Sequence, residues 1–346
     1  MRSRHLSTLF LALLLSGGQA AALGEEGIRI SEYSPHARAL EVSRRLLGPV
    51  THDRVLRFTA REGIEVAEHD VDLASERYEL VVPRKAPEKG YGVLVFVSPI
   101  EHFPLSFDLR RELDRRGIIY IAAYDSGNDQ NVYKRRIPLA LHGLAHVMAN
   151  YPVDPGRVFV SGFSGGSRVA QRLATAYPDV FRAALLVGGS DAMGRDGFVP
   201  PPADLMRLYQ TRMRLVVATG REDTPNRAKD GRSRATLEAY CTAGLAQVIP
   251  PRVGHAMPYG KSLAKALDAL EQPVSEPPDN AACRADLLAA VGSALDDAEA
   301  LLEEGRLDQA AESLQSIDAR YGGLASPRIE PLVRRLDEAT GAGRGD

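Results

Sequence analysis

The chain has 346 residues, of which 44% are hydrophobic and 25% charged, and its formal net charge is −2. These values suit a globular protein with room for one large α/β domain and a smaller appendage. The near balance of charge gives no electrostatic ground for a nucleic-acid or acidic-membrane partner.

Residues 1–22 read as an export signal. Arg2 and Arg4 open it, residues 6–15 form its apolar core, and Ala20-Ala21-Ala22 offers a small-residue cleavage site. That core is too short to span a bilayer, and no cysteine stands near the cut to carry a lipid anchor. Cleavage there would remove two arginines and leave a formal charge of −4, and the signal implies a periplasmic or secreted protein. In an exported chain the two cysteines, Cys241 and Cys283, suit a disulfide, with two buried free thiols as the alternative.

Residues 23–52 are weakly patterned, with a short helix expected over 37–47. Residues 55–60 and 77–82 read as the first strands. The apolar runs at 92–98 (GVLVFVS) and 117–123 (GIIYIAA) have the look of strands buried on both faces of a parallel sheet. Further strands are expected at 157–161, 182–187, 214–219 and 246–249, with helices at 107–116, 137–150, 202–212, 233–243 and 261–270. Strands alternating with helices in this way predict a mostly parallel sheet with helices on both faces.

Residues 272–280 (QPVSEPPDN) are a proline-rich polar stretch, and the composition changes after it. Three alanine- and leucine-rich amphipathic helices are expected at 284–304, 307–321 and 326–339. The implied organisation is a signal (1–22), an α/β domain (23–271), a linker (272–282) and a helical extension (283–346). The turn Glu304-Gly305-Arg306-Leu307, followed by Ala310 and Leu314, resembles that of a tetratricopeptide repeat. One such unit does not make a stack, so a small helical hairpin docked on the main domain is expected over a free peptide-binding array.

The chemistry concentrates around residues 158–176. Val158-Phe159-Val160 leads into Gly162-Phe163-Ser164-Gly165-Gly166, after which Val169, Ala170, Leu173, Ala174 and Tyr177 recur at helical spacing. Strand, glycine-flanked turn and helix with a serine at the apex form a nucleophile elbow, and the glycines leave room for backbone packed closely around it. A serine hydroxyl needs a base, and the base needs a partner that fixes its tautomer. The strand at 214–219 runs into Gly220-Arg221-Glu222-Asp223, and the strand at 246–249 runs toward Gly254-His255. Ser164, Asp223 and His255 therefore lie in loops at the carboxyl edge of the sheet, where open α/β sheets place their sites. Glu222 and Asp191 are alternatives for the acid. His142 and His146 stand i, i+4 but lack the HExxH form of a zinc site, so no metal and no cofactor is expected. Glu101 and His102 follow a strand end without a pattern that demands a role.

Residues 77–270 resemble an α/β-hydrolase, nearest in style to the polyhydroxybutyrate-depolymerase and feruloyl-esterase-like secreted esterases of bacteria. The resemblance rests on Tyr151-Pro-Val-Asp-Pro-Gly-Arg-Val before the elbow strand, the elbow, Tyr177-Pro-Asp-Val-Phe after its helix, Gly220-x-x-Asp223 and Gly254-His255-Ala-Met-Pro258. It implies a serine hydrolase for a small or polymeric ester, with Ser164, Asp223 and His255 as triad and the backbone N–H groups of Gly165 and Ile100 as oxyanion hole. One departure stands out. The family usually has His-Gly where this chain has Ser98-Pro99; Pro99 lacks an N–H, which moves the second donor to Ile100. A prolyl-oligopeptidase-type peptidase shares the fold and triad order. A non-catalytic binding protein, with the helical tail serving a protein partner, is the alternative from another class.

Overall fold

The computed structural model describes residues 24–341; the expected export signal lies outside them. The strands are β1 (Gly24–Ile28), β2 (Tyr78–Val81), β3 (Tyr91–Val97), β4 (Ile118–Ala123), β5 (Val153–Phe163), β6 (Ala183–Val187), β7 (Arg214–Ala218) and β8 (Leu245–Val248). The helices are α1 (Ala39–Leu46), α2 (Pro49–Glu62), α3 (Phe107–Arg116), α4 (Ile137–Asn150), α5 (Gly165–Ala176), α6 (Ala203–Arg212), α7 (Thr224–Ala239), α8 (Gly260–Leu270), α9 (Asn280–Glu303), α10 (Leu307–Tyr321) and α11 (Ile329–Thr340). The strands form one sheet in the order β1-β2-β4-β3-β5-β6-β7-β8, parallel from β4 to β8, with β2 antiparallel to both its neighbours. This is the α/β-hydrolase architecture.

The period-2 geometry of a strand splits the apolar runs between two cores. Val93, Val95 and Val97 of β3 join Ile119, Ile121, Val158 and Val160 on the face covered by α4, α5 and α6. Leu94 and Phe96 join Ile118, Tyr120 and Phe159 on the other face, under α3 and α8. From β3 the chain crosses first to β4 on one side and then returns to β5 on the other. That reversal opens a crevice at the carboxyl ends of β3 and β5, so the loop after β3 and the turn after β5 face each other there.

Residues 55–60 are not a strand. They lie inside α2, which has Pro49 in its first turn and ends at Gly63 in the left-handed conformation (φ 65°). The N-terminal helices are held to the main domain by Arg45. Its guanidinium bonds Asp179 at 2.7 and 2.9 Å and Glu41 at 2.5 Å, and lies 4.7 Å from the Tyr177 ring centroid. The Arg44 hydrogen bonds, outweighing the opposing effect of burial, together with Arg45 bring the Glu41 pKa down to about 2. A folded-state pKa below the unfolded one stabilises above the unfolded value and is lost as pH falls through the folded value. Glu41→Gln is therefore expected to lower the urea midpoint at pH 7, with the gap to wild type narrowing as pH falls from 4.5 toward 2. A gap that does not change with pH in paired unfolding curves would contradict this.

The C-terminal helices dock on the main domain. Arg334 bonds Asp53 at 2.6 Å and Arg57 bonds Asp337 at 3.3 Å, joining α11 to α2. Leu324, Ala325, Ile329 and Leu332 are buried in the same core as α5 and α6. A disulfide joins Cys241 after α7 to Cys283 in α9, across a sequence separation of 42. Closing a loop of that size stabilises by about 4 kcal/mol through the unfolded chain. Replacing both cysteines by serine is expected to reduce unfolding free energy by that order; urea curves that overlay wild type would refute it.

Candidate active site

The β5–α5 turn places Ser164 at φ 54°, ψ −117°, a conformation that non-glycine residues rarely adopt. Three local features hold it there. The Ser164 N–H donates to Val187 O at 2.8 Å, fastening the turn to the end of β6. Gly162 and Gly166 allow the close approach, since a Cβ at residue 162 would collide with the backbone of Gly166 and one at 166 with Val97 O. Gly165 opens α5, so its N–H has no intrahelical acceptor and stands at the positive end of the helix dipole.

His255 approaches from the β8–α8 loop. Its Nε2 lies 2.9 Å from Ser164 Oγ and its Nδ1 2.6 Å from Asp223 Oδ2. A carboxylate can only accept, so Nδ1 carries the proton and Nε2 is free to accept from the serine. Phe163 lies against the imidazole with centroids 4.8 Å apart, and Phe103 continues the apolar wall at 5.4 Å from Phe163. Asp223 sits at the start of α7 and is buried. Burial alone would raise its carboxyl pKa, but the hydrogen bonds from His255 and Asn226 outweigh it and hold the carboxyl below the usual range.

The structure thus brings Ser164, Asp223 and His255 into one hydrogen-bonded line. Asp191 is elsewhere engaged, with Arg168 at 3.0 Å and Arg172 at 2.8 Å, and Glu222 is exposed on the loop. His142 and His146 turn to different partners: His142 Nδ1 accepts from Ser34 N–H at 2.9 Å and His146 meets Glu32 at 2.6 Å. Burial brings the pKa of His142 down to about 4. His102 packs on Tyr124, centroids 4.2 Å apart, with Glu79 at 3.5 Å.

Ile100 departs from the expectation for the oxyanion hole. Its N–H donates to Ser98 Oγ at 3.1 Å, and the same hydroxyl donates back to Ile100 O. The short polar side chain at position 98 captures the amide that the missing donor at Pro99 had made necessary. The loop is further fastened by buried Arg136, which donates to Ser98 O and Ser126 O at 2.8 Å each; burial brings its pKa down to about 10. Asn128 is a residue the sequence did not point to. Its carboxamide lies against the Cα of Gly165, where any side chain at 165 would collide with it. Asn226 and Arg168 are two more, bonded to Asp223 and to the carbonyl of Ser164 respectively. A cavity of about 800 Å³ lies between α7 and the C-terminal helices and is lined by none of the three triad-like residues.

No protein-family model matches the chain, and neither does any curated protein. Among solved structures it is similar to a thermostable esterase (TM-score 0.41, 13% identity, 58% of this chain and 60% of that one). It is also similar to a ferulic acid esterase (TM-score 0.44, 14% identity, 57% and 90%) and to an acylaminoacyl peptidase in complex with a chloromethyl ketone (TM-score 0.46, 11% identity, 66% and 45%). The chain thus spans less than two thirds of the length of the first and the last.

Proposed function

We propose that the protein is an exported serine hydrolase that cleaves carboxylic esters by acyl transfer to Ser164. The observation that carries this reading is the line Ser164 Oγ–His255 Nε2 at 2.9 Å and His255 Nδ1–Asp223 Oδ2 at 2.6 Å, on a strained elbow. Nε2 takes the hydroxyl proton as Oγ bonds to the ester carbonyl carbon; the resulting imidazolium then protonates the departing alkoxide. Water enters by the same route in reverse, its proton going to Nε2 as its oxygen displaces Oγ. Asp223 remains ionised throughout and balances the imidazolium. The Gly165 N–H, backed by the α5 dipole, is the first oxyanion donor. Ile100 N–H is proposed as the second, after it leaves Ser98 Oγ. Phe103, Phe163 and the exposed Ile100 offer an apolar surface to the substrate. In this reading residues 1–22 are removed on export, 23–271 carry the reaction, and 283–346 form an extension after the 272–282 linker.

Graded p-nitrophenyl esters and aminoacyl anilides test the proposal on the purified protein. Esters are expected to be hydrolysed and anilides left intact; faster anilide cleavage would support the peptidase alternative instead. The captured Ile100 amide favours a second reading, a hydrolase-fold binding protein. A phosphonate adduct separates the two, since catalysis needs Ile100 N about 3 Å from the phosphonyl oxygen. Absence of any adduct, with no ester turned over, would favour the binding protein.

A further inference from the structure

A second layer of polar contacts surrounds Asp223. Asn226, one turn into α7, donates from Nδ2 to both carboxylate oxygens, at 2.9 and 3.0 Å. Its Oδ1 accepts from Arg168 NH2 at 3.0 Å. The orientation of the amide is fixed by chemistry at both ends, because a carboxylate only accepts and a guanidinium only donates. A flipped amide would set oxygen against carboxylate and NH2 against guanidinium. Asn226 Nδ2 also lies 3.1 Å from His255 Nδ1. Both are donors in the tautomer assigned above, so this contact is proximity rather than a bond.

Arg168 is itself over-determined. Nε donates to Asp191 Oδ1 at 3.0 Å and NH1 to Ser164 O at 2.9 Å, leaving NH2 for Asn226. One planar fork thus touches the backbone of the nucleophile and the side chain that holds the acid. Lysine, with a single compact donor head, cannot satisfy three acceptors in that plane. Gly189, at φ 125°, makes the space: a Cβ there would lie 2.8 Å from Arg168 NH2 and 2.9 Å from Asn226 Oδ1.

We propose that Arg168 and Asn226 are positioning residues for the reaction, a latch in which Arg168 fixes the Asn226 amide so that it holds the Asp223 carboxylate toward His255. The inference rests on the serine-hydrolase reading for its catalytic consequence, while the latch itself is a statement about the Asp223–His255 pair. Asp223 is the charged group bonded to His255, and Arg168, paired with Asp191, reaches the same site through Asn226; Phe163 and Gly188, which lie against the imidazole, carry no charge. Removing the amide donors concentrates negative charge on Asp223. Replacing the amide by a carboxylate adds more. Both changes favour the imidazolium, so the His255 titration moves upward.

The test compares Asn226→Asp, Asn226→Ala, Arg168→Met and Arg168→Lys with wild type. The readouts are kcat/KM for p-nitrophenyl acetate against pH and NMR titration of the 13C-labelled imidazole of His255, which needs no turnover. Asn226→Asp is expected to move the NMR titration and the acid limb upward together by about one pH unit, with kcat falling at least about tenfold and KM little changed. Asn226→Ala and Arg168→Met should shift them in the same direction by less, and Arg168→Lys should fall between Arg168→Met and wild type. An unshifted His255 titration in both Asn226 variants overturns the latch, as does an Arg168→Lys variant identical to wild type. If wild type turns over no ester, the hydrolase reading fails alone, and the NMR titration still decides for or against the latch.

Discussion

Ser164→Ala is expected to abolish ester hydrolysis while leaving the fold intact. The Ser164 hydroxyl lies 2.9 Å from His255 Nε2, and its removal leaves the base with no serine proton to take. Loss of a triad nucleophile costs on the order of 10⁶ in kcat. What remains comes from the Gly165 amide, the α5 dipole and substrate binding, which together supply about 10³ to 10⁴ over water. The positive φ of residue 164 is set by Gly162, Gly166 and the bond to Val187 O, none of which involves the side chain. Thermal unfolding should therefore stay close to wild type. Residual kcat within tenfold of wild type would remove Ser164 from the mechanism.

Asp223→Asn is expected to have the second-largest effect, about 10⁴ in kcat. The reasoning is tautomeric. Asp223 Oδ2 at 2.6 Å from His255 Nδ1 keeps the proton on Nδ1. An asparagine that presents its NH2 there makes Nδ1 the acceptor, moving the proton to Nε2, which can then no longer accept from Ser164. Raising the pH should restore part of the activity as hydroxide takes the Ser164 proton in place of Nε2, so the deficit is largest near neutrality. A substitution that costs less than tenfold across the pH range would point to a different acid. Asp191→Asn provides the control: its carboxylate is taken by Arg168 and Arg172 and should act only through the latch.

The parts of the fold that could be read in advance were those where one local rule decided the outcome. Buried strands such as β3 and β4 are continuous apolar runs bounded by turns, and the glycines around Ser164 are intelligible from the elbow alone. Asp223 and His255 each follow a strand in the same direction, so the sheet itself delivers them to one edge. The misreading of 55–60 has an identifiable cause: Leu56 and Phe58 are 40% and 51% exposed. Their alternation with polar residues imitates a strand, although they lie on the solvent side of α2. The start of α7 shows no apolar periodicity because residues 224–232 are mostly polar, and Pro225 in its first turn is the local signal for it. Neither the latch nor the capture of Ile100 by Ser98 could be read from spacing. The first joins residues 58 positions apart, Arg168 and Asn226. The second depends on the rotamer of one hydroxyl.

The central claim is that Ser164 forms a covalent acyl intermediate in a folded, His255-activated site. Intact-mass spectrometry after brief exposure to a fluorophosphonate, followed by peptide mapping, measures this directly. The account predicts one adduct per chain, on the peptide containing Ser164, absent from Ser164→Ala and formed far more slowly by His255→Ala. An unmodified wild-type protein, or an adduct on another serine with Ser164 intact, would contradict it.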